Sequence, residues 1–440
     1  MRLFDWTNWQ SGTLPPLEDH SEAKLKVLRD YVEDYICILC AGSFGRDEFK
    51  ITVVDGFAGG GAYAGGKAGS PLVLLEAVEK AEARINSGGR QKPLKVDCDF
   101  YFIESDPDAF ACLQAQLLTS KYADRIGKTI FPVRGSFQER QKDIVAKSQQ
   151  RFPQGGARVI FFLDQCGYCE VDPRILKQIS SSLNNKAEFI INFAVDTFND
   201  IVGDHKRFRS MFPSLGLESE LSADDLIRAK ECSPHDWRYL IESMVGPAFR
   251  NVAGSRFFSP FYIMPAGNHR GYWLLHLAPH ARARSAMLDV YWRNANGHRH
   301  FGNPGLNMLA FKADADQSGY FEGMTFDDMT RRKAQLALAA DFARVINDTH
   351  VDGVSFKDFS ELYCNQTIAN TSLIAATLEQ LAIDNQILIK GAKGAPKRSE
   401  KIQANDIIRP NHQLFFPALN FKAAFPPHIA QQAKVGRPSA

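Results

Sequence analysis

Apolar residues in the first half of the chain switch repeatedly between helical and strand-like spacing. Residues 20–40 carry apolar side chains every three or four positions, which is typical of an amphipathic helix, and the β-branched run at 49–55 predicts a buried strand. Four more strands are predicted, each after a helical stretch, at 98–104, 128–133, 157–164 and 188–194. This alternation predicts an α/β domain with a Rossmann-like, mostly parallel, doubly wound sheet.

The pattern changes in the second half of the chain. A polar, helical insertion spans about 200–250, and two apolar runs at 257–265 and 272–278 predict an antiparallel hairpin that ends the sheet, as in methyltransferases. A polar helix is predicted at 325–347. The order that follows, with helices at 356–363, 367–369 and 372–381 and strands at 387–390 and 406–409, predicts a winged helix-turn-helix.

These patterns predict the division of the 440 residues. We expect a Rossmann-like domain at 1–310, a helical linker at 311–353, a winged-helix domain at 354–415 and a tail at 416–440. The composition is 45% hydrophobic with a net charge of +2, so a large core is available but any nucleic-acid contact must come from a local patch. No signal region or membrane-length apolar run is present, so a cytoplasmic location is expected.

The strongest chemical signal is a glycine-rich turn directly after the first strand. It contains Asp55, Gly56, Phe57, Ala58, Gly59, Gly60 and Gly61. Glycines let backbone N–H groups approach a ligand, and Asp55 can accept a hydrogen bond from the amine of a methionine moiety. The D-x-F-x-G-x-G form predicts an S-adenosylmethionine (SAM) site and differs from the G-x-G-x-x-G form of nicotinamide enzymes. The alternative is a tight turn that is glycine-rich for steric reasons alone.

Two further positions complete the predicted cofactor site. Glu104 ends the next strand, where a carboxylate can accept from both ribose hydroxyls, and Ser136 with Phe137 follows the third strand, where the adenine edge would lie. Glu104 comes 49 residues after Asp55, whereas about 20 is usual, so a long helix and loop must fill the gap. A solvated acid at a helix start and a plain turn are the alternatives.

Polar groups also follow the fourth strand, in Asp164-Gln165-Cys166-Gly167-Tyr168. Because open α/β sheets bind ligands at the carboxyl ends of their strands, Asp164, Gln165 and Tyr168 are the predicted catalytic residues, facing the methyl acceptor. Amino-methyltransferases place an acid or Asn before Pro-Pro-aromatic here. This chain keeps the acid and the aromatic residue but lacks the prolines, which argues against methylation of a base.

Basic clusters suggest partners, and the spacing of the cysteines argues against a zinc site. His205–Arg209 and the loop residues Lys393, Lys397, Arg398 and Lys401 could contact phosphates, although a solvated loop or a protein-docking wing would look the same. Two CxxC pairs, at 37/40 and 166/169, lie far apart compared with the halves of compact zinc sites, so buried thiols are the preferred interpretation and no metal is expected.

Several of these blocks together resemble the three-Cys-motif partner (TcmP) family. The resemblance rests on the opening helix around His20 and Lys24, the block 55–63 with Gly69-Ser70-Pro71 behind it, the block 102–107 and the block 163–168, where Gln165 and Cys166 depart from the family pattern. It implies a methyltransferase-like fold in a protein that is often encoded beside a three-Cys-motif protein, which is therefore an expected partner. It does not imply a particular substrate.

Two functions from different classes follow from these observations. One is a SAM-dependent methyltransferase that acts on a nucleic acid or on a partner-bound macromolecule. The alternative is a catalytically silent SAM-binding regulatory protein that docks on DNA or protein through its winged helix, and the altered 164–167 block favours it. Other nucleotide-binding enzymes, such as nucleases, are the remaining alternative for the function of this chain.

Overall fold

The computed structural model describes most of the chain, and the regions it describes form two compact units. The described residues are 5–42, 45–152, 158–165, 167–232, 237–263, 271–294, 298–300, 305–306, 324–325, 327–391 and 401–411. One unit comprises Met1–Ala334 with Tyr363–Thr371, and the other comprises Gln335–Leu362 with Ser372–Ala440.

The strands of the first unit form one large sheet and one small hairpin. In the described part they are β1 (Glu48–Asp55), β2 (Ala62–Tyr63), β3 (Lys67–Ala68), β4 (Lys95–Glu104), β5 (Ile130–Arg134), β6 (Val159–Leu163), β7 (Ala187–Phe193), β8 (Phe257–Ile263), β9 (Tyr272–Ala278), β10 (His298–His300) and β11 (Met324–Thr325). β2 pairs with β3, and the others form a nine-stranded sheet in the order β11-β10-β8-β9-β7-β6-β1-β4-β5.

The strand directions confirm the predicted sheet. β5, β4, β1, β6 and β7 are parallel neighbours. β9 runs antiparallel to β7, and β8 runs antiparallel to β9, so β8 points in the same direction as the parallel block. The sheet is therefore mainly parallel and carries the predicted β8–β9 hairpin. The hairpin does not end the sheet as predicted, because β10 pairs antiparallel with β8 and β11 pairs antiparallel with β10.

Helices connect these strands and largely match the predicted stretches. They are α1 (Asp19–Cys40), α2 (Ser70–Ser87), α3 (Pro107–Thr119), α4 (Phe137–Arg151), α5 (Pro173–Ser182), α6 (Val195–Val202), α7 (His205–Met211), α8 (Ala223–Cys232), α9 (Trp237–Val252) and α10 (Ala281–Arg293). Local chemistry explains several starts: Asp106 and Asp172 cap α3 and α5, each with Pro at the first turn. Helices α6 to α9 fill the predicted insertion.

The core surrounds the central strands. Every residue of β6 and of β7 is buried, as is most of β1. Such strands have helices on both faces, which explains why their sequences are continuous apolar runs rather than alternating ones.

The C-terminal part contains helices and a three-stranded sheet. The elements are α11 (Asp328–Thr349), β12 (Val354–Ser355), α12 (Phe356–Tyr363), α13 (Thr371–Ile383), β13 (Ile387–Lys390) and β14 (Ile407–Pro410), with an antiparallel sheet in the order β12-β14-β13. The predicted helix at 367–369 is wrong. The carbonyl oxygens of Thr367 and Ala369 instead accept hydrogen bonds from the buried guanidinium of Arg284.

Candidate functional site

The strand order creates a crevice at the carboxyl edge of the sheet. The chain passes from β1 to β4 on one side and later returns to β6 on the other side of β1. Ligands of open α/β sheets bind at such a switch point, outside the carboxyl ends of the two strands. Asp55 ends β1 in register with Phe162 of β6, so Asp55 and Asp164 flank this crevice.

Asp55 is fully buried and incompletely hydrogen-bonded. Its Oδ1 accepts from the N–H of Phe57 at 3.2 Å, whereas Oδ2 has no donor among the described residues. Burial raises the pKa of Asp55 to about 7; the Ser70 hydroxyl and the Phe57 N–H oppose this rise, and the charges of Asp164 and Glu104 add to it. Because a buried acceptor without a donor is costly, this oxygen is suited to a ligand's N–H group.

The glycine turn has both conformational and steric requirements. Gly59 and Gly61 have φ values of 59° and 78°, in the left-handed region that favours glycine. At Gly60 a Cβ atom would lie 2.2 to 2.7 Å from ring atoms of Trp6. The turn thus holds its backbone close to a buried tryptophan while exposing no side chain of its own at these three positions.

Glu104 connects the end of β4 to this turn. Its Oε2 accepts from the N–H of Gly59 at 2.8 Å, and its Oε1 accepts from the N–H of Asp106 at 2.7 Å. Burial raises the pKa of Glu104, partly offset by these backbone donors. A carboxylate has about four acceptor positions, so Glu104 keeps capacity for a ligand hydroxyl beside the backbone N–H groups of Asp106, Gly59 and Ser105. The long gap after Asp55 is filled by the 18-residue helix α2 and the loop that follows it, as expected, and also by the β2–β3 hairpin, which was not predicted.

Ser136 and Phe137 have structural partners in this chain. The Ser136 hydroxyl accepts from the N–H of Glu139, whose carboxylate accepts from the N–H of Ser136, which forms a capping box at the start of α4. The Phe137 side chain is buried and packs edge-on against Phe161, with ring centroids 6.1 Å apart. Adenine contacts by these two residues stay a prediction.

Asp164 is ion-paired with a lysine that the sequence analysis did not assign. Lys24 of α1 donates to both carboxylate oxygens of Asp164, at 2.7 and 2.9 Å. The Lys24 side chain is 5% exposed and that of Asp164 is 26% exposed. The predicted catalytic acid therefore lies beside a buried cation.

Gln165 and Tyr168 make most of their contacts within the protein, although the Nε2 of Gln165 has no acceptor among the described residues. The Gln165 side chain is buried, and its oxygen accepts from the N–H groups of Glu170 and Val171, both at 2.9 Å. Tyr168 is 9% exposed, and its ring packs against Phe193 and Phe198. These two side chains shape the loop after β6, whereas Asp164 alone of the three predicted catalytic residues reaches the crevice.

Two more residues lie at this edge of the sheet, and the sequence analysis predicted no role for either of them. His20 of α1 stacks on Tyr272, the first residue of β9, with ring centroids 4.6 Å apart, and Lys24 lies 5.5 Å from the same ring centroid. The detectable signal was a lysine on the apolar face of an amphipathic helix, since Lys24 lies one helical turn before Leu28, which is fully buried. No such signal identified Tyr272, because only the fold brings β9 next to α1.

The predicted basic contacts are only partly described. Lys206 and Arg207 of α7 are exposed. Burial raises the pKa of Tyr168, and the positive charge of Arg207 partly opposes this rise, which places α7 near the loop after β6. Lys401 is exposed, whereas Lys393, Lys397 and Arg398 lie outside the described residues, as does Cys166.

Within the described residues, no group of three or more His, Cys, Asp or Glu side chains could hold a metal ion. The same part of the chain contains no helix with the length and apolar character needed to cross a membrane.

The chain was compared with family models, with curated proteins and with solved structures. No family model matches the chain, and no curated protein does. Among solved structures, a Legionella pneumophila protein of the DUF519 family model has a TM-score of 0.26 and 12% identity, covering 58% of this chain and 86% of that chain. Trm1 from Pyrococcus horikoshii, in complex with S-adenosyl-L-methionine, has a TM-score of 0.26 and 12% identity, covering 72% of each chain.

Proposed function

We propose that this chain is a SAM-dependent methyltransferase whose acceptor is a nucleic acid or a partner-bound macromolecule. The observation that carries the proposal is the buried Oδ2 of Asp55, which has no donor among the described residues and lies beside a glycine turn braced by Glu104 at the switch point. The β9 strand lies antiparallel between β7 and β8, which is the hairpin arrangement expected of methyltransferases, and it supports the same conclusion.

The residues of the crevice fit the parts of this cofactor. Asp55 would accept from the ammonium group of the methionine moiety, which explains an acceptor that has no donor among the described residues. Glu104 would accept from the ribose hydroxyls with the lone pairs that Gly59 and Asp106 leave. Gly59 and Gly61 bring main-chain atoms close without side chains in between.

When bound, SAM supplies a methyl group already activated by its sulfonium, so the protein's main task is to position the acceptor. Asp164 lies across the switch point from Asp55 and would orient the attacking atom. The exposed cations Lys206 and Arg207, near the loop after β6, would hold phosphates of a nucleic acid on this side. A winged-helix module and a three-Cys-motif partner protein remain part of this proposal.

Calorimetric titration with SAM and with its demethylated product tests cofactor binding. We expect wild type to bind both, and Asp55→Asn and Glu104→Gln to bind at least about tenfold more weakly, since each removes a charged acceptor. Asp143→Asn changes an exposed carboxylate on α4 and should bind like wild type. Absence of heat with wild type would refute the cofactor assignment.

A catalytically silent SAM-binding regulator is the second candidate. It is favoured by the inward placement of Gln165 and Tyr168, which leaves Asp164 without the neighbours of an amine-gripping motif. Incubation with labelled SAM and nucleic acid from the native host separates the two candidates. Label transferred by wild type and lost in Asp164→Ala establishes chemistry, whereas binding without transfer establishes the silent alternative.

A further inference from the structure

We propose that Lys24 forms the subsite for the carboxylate of the methionine moiety, and so makes the site selective for a donor with an intact amino-acid end. This inference rests on the proposed function, because it concerns the same cofactor. It assigns a role to a residue of α1 that precedes the whole sheet in the sequence.

Lys24 is a buried, ion-paired lysine rather than a surface lysine. Its residue is 4% exposed, and its ammonium group is held by both oxygens of Asp164 and lies over the Tyr272 ring. An ammonium group has three N–H donors, and within the described part of the chain its hydrogen bonds go to the two oxygens of Asp164, so one donor remains for a ligand. Lys26, two residues later, points out of the fold and is exposed.

The negative charges of the crevice favour a cation beside the carboxylate of the ligand. Asp55 feels the negative charges of both Asp164 and Glu104, so three carboxylates converge here. The methionine moiety carries an ammonium and a carboxylate beside the sulfonium. The two cationic groups match a site rich in carboxylates, but the carboxylate would meet only repulsion without a cation. Lys24 is the buried cation that the structure pairs with one of these acids.

The ion pair has a simpler explanation, in which Lys24 only neutralises Asp164. The two explanations differ in what happens when Asp164 loses its charge. If Lys24 serves the ligand, the preference for a ligand carboxylate survives in Asp164→Asn and disappears only when Lys24 is changed. If Lys24 serves only Asp164, neither variant alters that preference.

The test compares SAM with its decarboxylated form, which keeps the adenosyl, sulfonium and ammonium groups and lacks only the carboxylate. Affinities are measured by calorimetry for wild type, Asp164→Asn and the double variant Asp164→Asn/Lys24→Gln, in which no acid is left without a partner. Lys26→Gln is the matched control. Circular dichroism verifies that each variant is folded.

We expect wild type, Asp164→Asn and Lys26→Gln to bind SAM about ten- to a hundredfold more tightly than the decarboxylated form, as for a charge-assisted hydrogen bond. The double variant should bind both ligands within about threefold of each other. An unchanged preference in the double variant, or equal binding of both ligands by wild type, overturns this inference and leaves the proposed function standing. Failure of wild type to bind either ligand overturns both.

Discussion

Asp55 should weaken the folded state of the first unit at neutral pH, and Asp55→Asn should relieve that cost. The carboxyl group is fully buried, and its pKa rises from 3.8 to about 7 on folding. Because the folded chain binds this proton more tightly than the unfolded chain, the proton's stabilising contribution is complete below about pH 4 and is lost as the pH rises to about 7. At about 1.36 kcal/mol per pKa unit, the total loss is about 4 kcal/mol.

About 2 to 3 kcal/mol of this loss falls between pH 5 and pH 8. Asparagine has nearly the same shape and no charge, so the free energy of unfolding of Asp55→Asn relative to wild type should increase by that amount over this range. Urea unfolding is followed by tryptophan fluorescence, because all five tryptophans belong to the first unit. The exposed Asp143→Asn should show a constant difference from wild type.

A difference between Asp55→Asn and wild type that stays flat from pH 5 to pH 8 would refute the argument, since it would mean that the carboxyl group is not held protonated by burial. The same raised pKa predicts that SAM binding by wild type strengthens as the pH rises through about 7, because the carboxylate is the form that attracts an ammonium group. A variant that gains stability while losing affinity would mark Asp55 as a residue kept for binding.

Three other predictions concern packing and partners. Gly60→Ala should destabilise the chain by about 1 to 3 kcal/mol through its clash with Trp6, measured by thermal unfolding, and Trp6→Leu in the same chain should recover part of the loss. Arg284→Ala should cost about 3 kcal/mol or more in urea unfolding, because its guanidinium donates to three buried carbonyl groups, and Arg284→Lys should recover little of it. Changing Lys206 and Arg207 to Ala should weaken nucleic-acid binding uniformly across sequences and reduce the salt slope by about two, whereas an unchanged slope would remove α7 from the interface.

The sequence alone was sufficient for the order of elements and for the principal turn. β-Branched runs and helical spacing are local signals. The predicted boundaries of the five parallel strands, the insertion and the β8–β9 hairpin therefore lie within a few residues of those in the structure. The sequence placed Asp55 and Glu104 at one edge of the sheet because each ends a strand, and the carboxyl ends of parallel strands meet at the same edge.

Only the tertiary structure decided what the side chains do there. Tyr168 sits in a loop that looks catalytic in sequence, but the rings of Phe193 and Phe198, from a different strand and helix, draw it into the core. Lys24 lies 140 residues before Asp164, and a contact over that distance leaves no local pattern. The helix predicted at 367–369 does not form for the same reason, because Arg284, more than 80 residues earlier, donates to the carbonyl groups of Thr367 and Ala369. Local spacing determines elements, whereas burial and charge pairing between distant elements determine which residues remain for a ligand.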